Sequence, residues 1–274
     1  TKVAPTVRKE IEKHFRERYN EQPLIVRSPG RINIIGEHTD YNQGWVLPAA
    51  IDKAVYVAVS ARTDGSYSLH SVGFHETIEG ELADIRPTQN WSTYLLGVVD
   101  QLLQKGYPVR GFNLVVDGDI PIGAGLSSSA ALEVALALVL GFEGTPLELA
   151  QACQRAEQLA CGVPTGILDQ LASVSGRDGF AMVLDCHDLT VTHVPVPSDV
   201  EIVVIHSGQG RQLAGSGYTE RVIQCRAAEA LIGPLRTATL HDVARIDDPL
   251  VQARARHVVT ENQRVRDFAA AMES

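Results

Sequence analysis

The chain has 274 residues, 45% hydrophobic and 21% charged, ordinary proportions for a globular protein of one large or two medium domains, so disorder is not the expectation. A formal charge of -9 argues against a broad electrostatic footprint on nucleic acid or anionic membrane, while a local basic pocket for a phosphorylated ligand stays open. No apolar run reaches membrane-spanning length, and Arg8, Glu10, Glu12 and Lys13 occupy the place where a signal peptide has its apolar core, so the expected location is cytoplasmic.

In chain order, "TVRKEIEKHFRERY" (6–19) repeats Val7, Ile11 and Phe15 at intervals of four among charges and predicts an amphipathic helix. "LIVRSPGRINIIGEH" reads as strand-like runs around a Pro-Gly punctuation, and "KAVYVAVSAR" (53–62) as a strand. "WSTYLLGVVDQLLQKG" (91–106) predicts a helix with Leu95, Val98, Val99 and Leu102 on one face and Gly106 as its stop. "GFNLVVDGDI" (111–120) is a strand that empties into "PIGAGLSSSA", and "SSSAALEVALALVLGF" (127–142) a helix apolar nearly all round, hence buried.

Thr145, Pro146 and Glu148 spell a capping box with proline at the first helical position, and that helix runs to Gly162. "ILDQLASVSG" (167–176) is a short helix, "GFAMVLDCHDLTVTHVPVP" two strands joined by a polar turn, "EIVVIHSG" (201–208) a strand, and most of the remainder helical. The four cysteines, Cys153, Cys161, Cys186 and Cys225, have neither C-x-x-C spacing nor a zinc pattern, and are expected as small buried side chains.

Three stretches carry the chemistry. In residues 121–130, glycines that let backbone N–H groups approach closely precede a helix N-terminus, the elements of an anion site. Ser127, Ser128 and Ser129 add hydroxyls for the helix cap or for phosphate and magnesium. The pattern is neither the P-loop nor G-x-G-x-x-G, and a plain turn with an N-cap fits it too. In "GRINIIGEHTDYNQGWVLP" (30–48), Arg31, Glu37, His38 and Asp40 are set among apolar residues, where charge is costly unless paired or used. An ion pair beside a turn is the alternative there, and a metal cluster of Glu37, His38 and Asp40 fits no standard ligand set. Asp169, in the first turn of its helix, is placed for an ionised carboxylate, whether as cap or as catalyst.

Together these stretches resemble the GHMP small-molecule kinases, and within them the galactokinase family. "GRINIIGEHTDYNQGWVLPAAID" is similar to the family's signature almost residue for residue, "PIGAGLSSSAALEVA" to its ATP-phosphate motif, "GILDQ" to the stretch with the catalytic aspartate, and "GSGYTERVIQCRAAE" (215–229) to a later segment. The resemblance covers practically the whole chain. It implies an α/β (α+β) two-domain GHMP kinase fold with the active site between the domains: residues 1–185 as the ATP-binding domain with the sugar signature, 186–274 as an incomplete C-terminal domain.

The activity so implied is ATP-dependent phosphorylation of α-D-galactose at O1, with ATP and Mg2+ and with no nucleic-acid or membrane partner. By the same resemblance Asp169 and Arg31 are the catalytic pair, Glu37, His38, Asp40, Gly166 and Tyr218 bind the sugar, and Asp40 reads O3 and O4. Gly123, Gly125, Ser127 and Ser128 cradle phosphates, Trp91 lies near adenine or in the core at its helix start, and Ser129 and Glu157 hold magnesium. The loop after Ile205 is expected to face the sugar.

The chain departs from the family pattern at Thr165, Leu168 and Val222. It also lacks the family's third glycine-rich motif after the last helix, whose apolar face is therefore expected to lack a partner; truncation, self-association or a completing subunit would account for that. An N-acetylgalactosamine kinase and a non-catalytic galactose- and ATP-binding sensor are the alternatives.

Overall fold

The computed structural model describes residues 5–88, 90–162, 164–206, 208 and 217–273. Among them no helix is long and apolar enough to cross a membrane. The fold is mixed α/β and divides into two compact units, one of residues 1–30, 51–162 and 169–174, the other of 31–50, 163–168 and 175–274. Residues 31–50 thus cluster with the later part of the chain, across the 185/186 division drawn from the sequence.

The first unit is built on a five-stranded sheet. Its strands are β1 (Leu24–Asn33), β3 (Pro48–Ala61), β4 (Ser66–Ser71), β5 (Glu76–Glu81) and β6 (Phe112–Gly118), in the order β1-β3-β6-β4-β5. β3 pairs antiparallel with β6, β6 parallel with β4, and β4 antiparallel with β5. Strand β3 is apolar on both faces because both are covered. Val55, Val57 and Val59 point into a core with Leu95, Val99 and Leu102 of α2 (Ser92–Gln104), Leu136 of α3 (Ser128–Val139) and Cys153 of α4 (Pro146–Cys161). The alternate residues Ala54, Tyr56 and Ala58 face Ile11 and Phe15 of α1 (Pro5–Tyr19). The small alanines leave room for Phe15, whose burial stabilises by about 2–3 kcal/mol.

Helix α4 begins on the expected capping box: Glu148 N–H donates to Thr145 Oγ1 at 3.2 Å, and Thr145 N–H donates back to Glu148 Oε2 at 2.7 Å. It ends at Gly162 in the left-handed region, the conformation that favours glycine at a helix C-terminus.

The second unit holds the antiparallel sheet β2-β7-β8, formed by β2 (Trp45–Val46), β7 (Phe180–Asp185) and β8 (Thr190–Pro195). With it go α6 (Gly217–Ile232), α7 (Leu240–Val243) and α8 (Pro249–Met272). Helix α5 (Leu168–Ser175) begins in this unit and continues into the first.

Two sequence expectations are corrected here. The apolar face of α8 has partners: Val258 and Ala255 pack with Cys225, Ala228 and Val243, and Val265 and Ala269 with Leu47, Ala181 and Val194. "EIVVIHSG" forms no strand over its described residues, 201–206 and 208, and Ile202, Val203, Val204 and Ile205 are exposed. A β-prone run becomes a strand only when another strand takes up its backbone hydrogen bonds, and none among the described residues pairs with this one. The loop after Ile205, at 207 and 209–216, lies outside the described residues. Cys153, Cys186 and Cys225 are buried as expected, whereas the Cys161 side chain falls outside the described set.

Candidate functional site

In the first unit the glycine loop leads from β6 to α3. Gly123 and Gly125 take φ of +73° and +74°, and Ser127, the residue before α3, is left-handed at +59°, a strained setting for a non-glycine residue. Ser127 was expected to offer its hydroxyl either to the helix cap or to phosphate. It makes no side-chain cap bond, and its Oγ is buried without a hydrogen-bond partner. The left-handed backbone explains this, because a capping side chain needs an extended N-cap residue to reach the N–H groups of the first turn.

Strand β1 reaches this loop through Gly30, where an added Cβ would lie 2.7 Å from Leu126 O and 2.9 Å from Ile120 Cδ1, so only glycine permits the approach. Arg31 follows it in the chain and is half-buried.

Behind the loop lies a buried polar cluster. Ser129 Oγ donates to Glu157 Oε1 at 2.8 Å. The Gln170 amide Nε2 donates to Glu157 Oε2 at 2.9 Å and to Glu133 Oε2 at 3.2 Å, and Glu133, Glu157 and Gln170 are all buried. Sequence reading singled out neither Glu133 nor Gln170, although a glutamate in an otherwise apolar helix was a visible signal. The neighbouring Cys153 thiol is pushed well up, by burial first and then by Glu133 and Glu157.

Helix α5 carries Asp169 at its second position. It is fixed to β1 by Ser173, whose Oγ donates to Pro29 O at 2.8 Å and lies 2.8 Å from Ser28 Oγ. Trp91 stands just before α2; its ring stacks on Phe74 with centroids 6.3 Å apart, and its Nε1 donates to Glu76 at 2.7 Å. It is also partly buried against the main core, as the alternative reading had it.

The second unit gathers the other predicted residues. After β1 the chain turns through Gly36 at φ +102° and His38 at +64°, then through a single 3-10 turn, Asp40–Asn42. The Thr39 hydroxyl reaches the carbonyls of Gly36 (2.8 Å) and Trp45 (2.7 Å), and Asn42 Nδ2 donates to His38 O at 2.8 Å, so the loop is closed from within. Asp40 lies against Gly166, where any Cβ would collide with its carboxylate. The rings of His38, Tyr41 and Tyr218 form a triangle with centroid separations of 5.8, 5.9 and 5.1 Å. Glu37 is exposed and accepts from Asn33 Nδ2 at 3.0 Å.

Tyr41, not anticipated from the sequence, has its hydroxyl 3.0 Å from His38 Nδ1. Burial, followed by Cys225 and Asp40, pushes its phenol far above the ordinary value and keeps it protonated. The Trp45 ring carries two guanidinium groups, Arg236 at 3.7 Å and Arg266 at 4.5 Å from its centroid, and Arg236 also makes a two-pronged pair with Asp185 at 2.7 Å. Among the described residues no cluster of His, Cys, Asp and Glu is arranged to hold a metal by those ligands alone.

A glycine loop opening onto a buried helix beside an aspartate-bearing helix is the pattern of the GHMP kinases, and residues 93–177 match the family described as GHMP kinases N terminal domain. The fold is shared with the mevalonate kinase of Methanococcus jannaschii, at a TM-score of 0.58 and 16% identity over 92% of this chain and 74% of that one. Residues 13–61 match the Galactokinase galactose-binding signature. The chain is 42% identical to the galactokinase of Roseiflexus sp. (strain RS-1) over 97% of its own length and 72% of that protein. It is 40% identical to that of Chloroflexus aurantiacus, over 94% and 70%. The Lactococcus lactis galactokinase solved in complex with galactose superposes at a TM-score of 0.90 with 35% identity, over 97% of this chain and 74% of that one. The chain belongs to the galactokinase family.

Proposed function

We propose that the protein transfers the γ-phosphoryl group of ATP to O1 of α-D-galactose, giving galactose 1-phosphate and ADP. The observation that carries this reading is the match of residues 13–61 to the galactose-binding signature, in which the loop from Gly36 to Trp45 is closed from within and carries Glu37, His38 and Asp40, with Gly166 against Asp40 and Tyr218 against His38. A site built from several fixed donors and acceptors rejects an epimer that leaves them unpaired, and Asp40 is assigned to O3 and O4. The Tyr41 hydroxyl, kept protonated, lies 3.0 Å from His38 Nδ1 and helps to hold that ring within the loop.

In the first unit, Gly123, Gly125, Ser127 and Ser128 are assigned to the ATP phosphates. The left-handed backbone at 123, 125 and 127 and the buried, unpartnered Ser127 hydroxyl fit a loop shaped around an anion better than a plain capped turn. The oxygen-only pair of Ser129 and Glu157 suits Mg2+, which offsets phosphate charge when bound. The flat pair of Trp91 and Phe74 offers a face for adenine.

Asp169 accepts or aligns the O1 hydroxyl proton, and Arg31 offsets charge on the transferring group. ATP consumption with galactose, glucose, N-acetylgalactosamine and no sugar tests the assignment. Turnover with galactose and not glucose is expected, and Asp169→Asn should lower kcat by at least about 100-fold with galactose affinity little changed. Galactose binding without turnover would replace the kinase with a sensor, and equal turnover of glucose would refute the sugar assignment.

A further inference from the structure

The loop with Glu37, His38 and Asp40 is fastened at both ends by neighbouring residues of one distant helix. Gly36 N–H donates to Glu261 Oε1 at 2.9 Å, Trp45 N–H donates to Asn262 Oδ1 at 3.1 Å, and one turn earlier on α8 His257 Nε2 lies 2.8 Å from Glu37 O. At Gly36 an added Cβ would lie 2.7 Å from Trp45 O and from Val46 Cα, so the two ends of the loop run backbone against backbone. A Cβ at Gly44 would strike Asn262 Oδ1, which leaves the loop no slack on that side.

We propose that Glu261 and Asn262 are positioning residues for sugar binding: they fix the backbone at Gly36 and Trp45 and thereby the orientation of Glu37, His38 and Asp40 between them. The inference rests on the reading of that loop as the sugar site.

The chemistry of α8 favours a purpose beyond packing. Glu261 is 7% exposed and Asn262 2%, on a helix whose remaining inward residues, Ala255, Val258, Val265 and Ala269, are apolar. An apolar residue at 261 would pack as well without the desolvation cost of a carboxylate, so the carboxylate is best explained by the N–H it accepts. Arg264 pairs with Glu261 Oε2, leaving Oε1 for Gly36. A backbone N–H held by a buried carboxylate is a strong, short-tethered bond, and small displacements of binding groups are expensive in affinity.

The test is galactose and ADP binding by calorimetry on the 274-residue chain and its variants. Glu261→Met removes the acceptor and is expected to weaken galactose about tenfold with ADP affinity unchanged, while Glu261→Gln keeps an acceptor oxygen and stays within about threefold. Asn262→Leu is expected to act like Glu261→Met and serves if that variant does not fold. Amide exchange on the unaltered chain adds a measurement independent of any variant: Gly36 and Trp45 N–H groups should be protected, and rapid exchange at both overturns the proposal.

Unchanged galactose affinity in Glu261→Met and Asn262→Leu would overturn it as well, as would a loss in Glu261→Gln equal to that in Glu261→Met. Asp40→Asn separates the two levels. If the unaltered chain does not bind galactose, or Asp40→Asn binds it normally, the sugar-site reading fails; if Asp40→Asn loses binding and the α8 variants do not, the positioning role alone fails.

Discussion

Replacing Gln170 by Leu isolates the amide that bridges Glu133 and Glu157. The Nε2 group carries two hydrogens and donates one to each carboxylate, at 3.2 and 2.9 Å, in surroundings where Glu133 and Gln170 are fully buried and Glu157 nearly so. A hydrogen bond to a charged group contributes about 1.5–3 kcal/mol, the longer of these two at the low end, so about 3–5 kcal/mol is lost. Against this, leucine removes the Gln170 Oε1, a buried acceptor without a partner, and recovers about 1 kcal/mol. The expected net destabilisation is about 2–4 kcal/mol.

The chain has two tryptophans, so a Trp45→Phe background leaves Trp91 to report the first unit alone during urea unfolding. Gln170→Glu should cost more than Gln170→Leu, because it sets a third carboxylate against the first two. A loss below about 1 kcal/mol for leucine, or the reverse order of the two variants, would refute the bridging role.

Gly166→Ala should weaken galactose about tenfold or more, since the new methyl displaces the Asp40 carboxylate; calorimetry showing unchanged affinity would mean that Asp40 can relocate freely. Arg236→Met, which breaks the largely buried pair with Asp185 and the stacking on Trp45, should cost about 2–4 kcal/mol in unfolding of the second unit, read by Trp45 fluorescence in a Trp91→Phe background. Burial raises the Asp185 carboxyl, but Arg236 and the His187 and Asp188 N–H groups outweigh it, so its pKa is below the ordinary value. The stability it contributes is present above the unfolded value of about 3.9 and is lost as pH falls through the lower folded value, and an acid titration of Arg236→Met should show that component reduced to what the two N–H groups supply. Val203→Lys, at a position 75% exposed in an unpaired β-prone run, should reduce light scattering of concentrated solutions without altering galactose affinity.

Elements whose signal is local were legible in the sequence. The period of Val7, Ile11 and Phe15, the capping box at Thr145 and the glycine stops at 106 and 162 each specify a helix or its end from a few neighbouring residues, and each formed as read. Strand β1 runs straight through Pro29 and Gly30, where the sequence suggested punctuation. As the outermost strand of its sheet it tolerates a residue without an N–H, and the glycine answers the approach of the glycine loop at Leu126. The hairpin of β4 and β5 escaped notice because Ser66, Ser68, His70, Glu76 and Glu79 dilute its apolar alternation, yet Tyr67 and Leu69 alone suffice to seat β4 in the core. "IVVI" at 202–205 fails in the opposite sense: its composition is that of a strand, but pairing is a property of two segments and cannot be read from one.

The same asymmetry governs the site. Arg31, Glu37, His38, Asp40 and Asp169 were conspicuous because charged residues among glycine and isoleucine are locally costly. The groups that set their surroundings lie elsewhere in the chain and carry no local mark. Gln170 follows Asp169 directly, but what gives it meaning is Glu133 and Glu157, on two other helices. Glu261 and Asn262 sit in a long polar-looking helix where a glutamate is the commonest of surface residues. Only the fold shows that this glutamate is buried and spent on an amide 225 residues away. Motif residues announce themselves by breaking a local rule, whereas the residues that aim them obey local rules and break a tertiary one, the burial of charge. Glu133, a glutamate inside an otherwise apolar helix, breaks both, and was the one supporting residue that the sequence alone could have exposed.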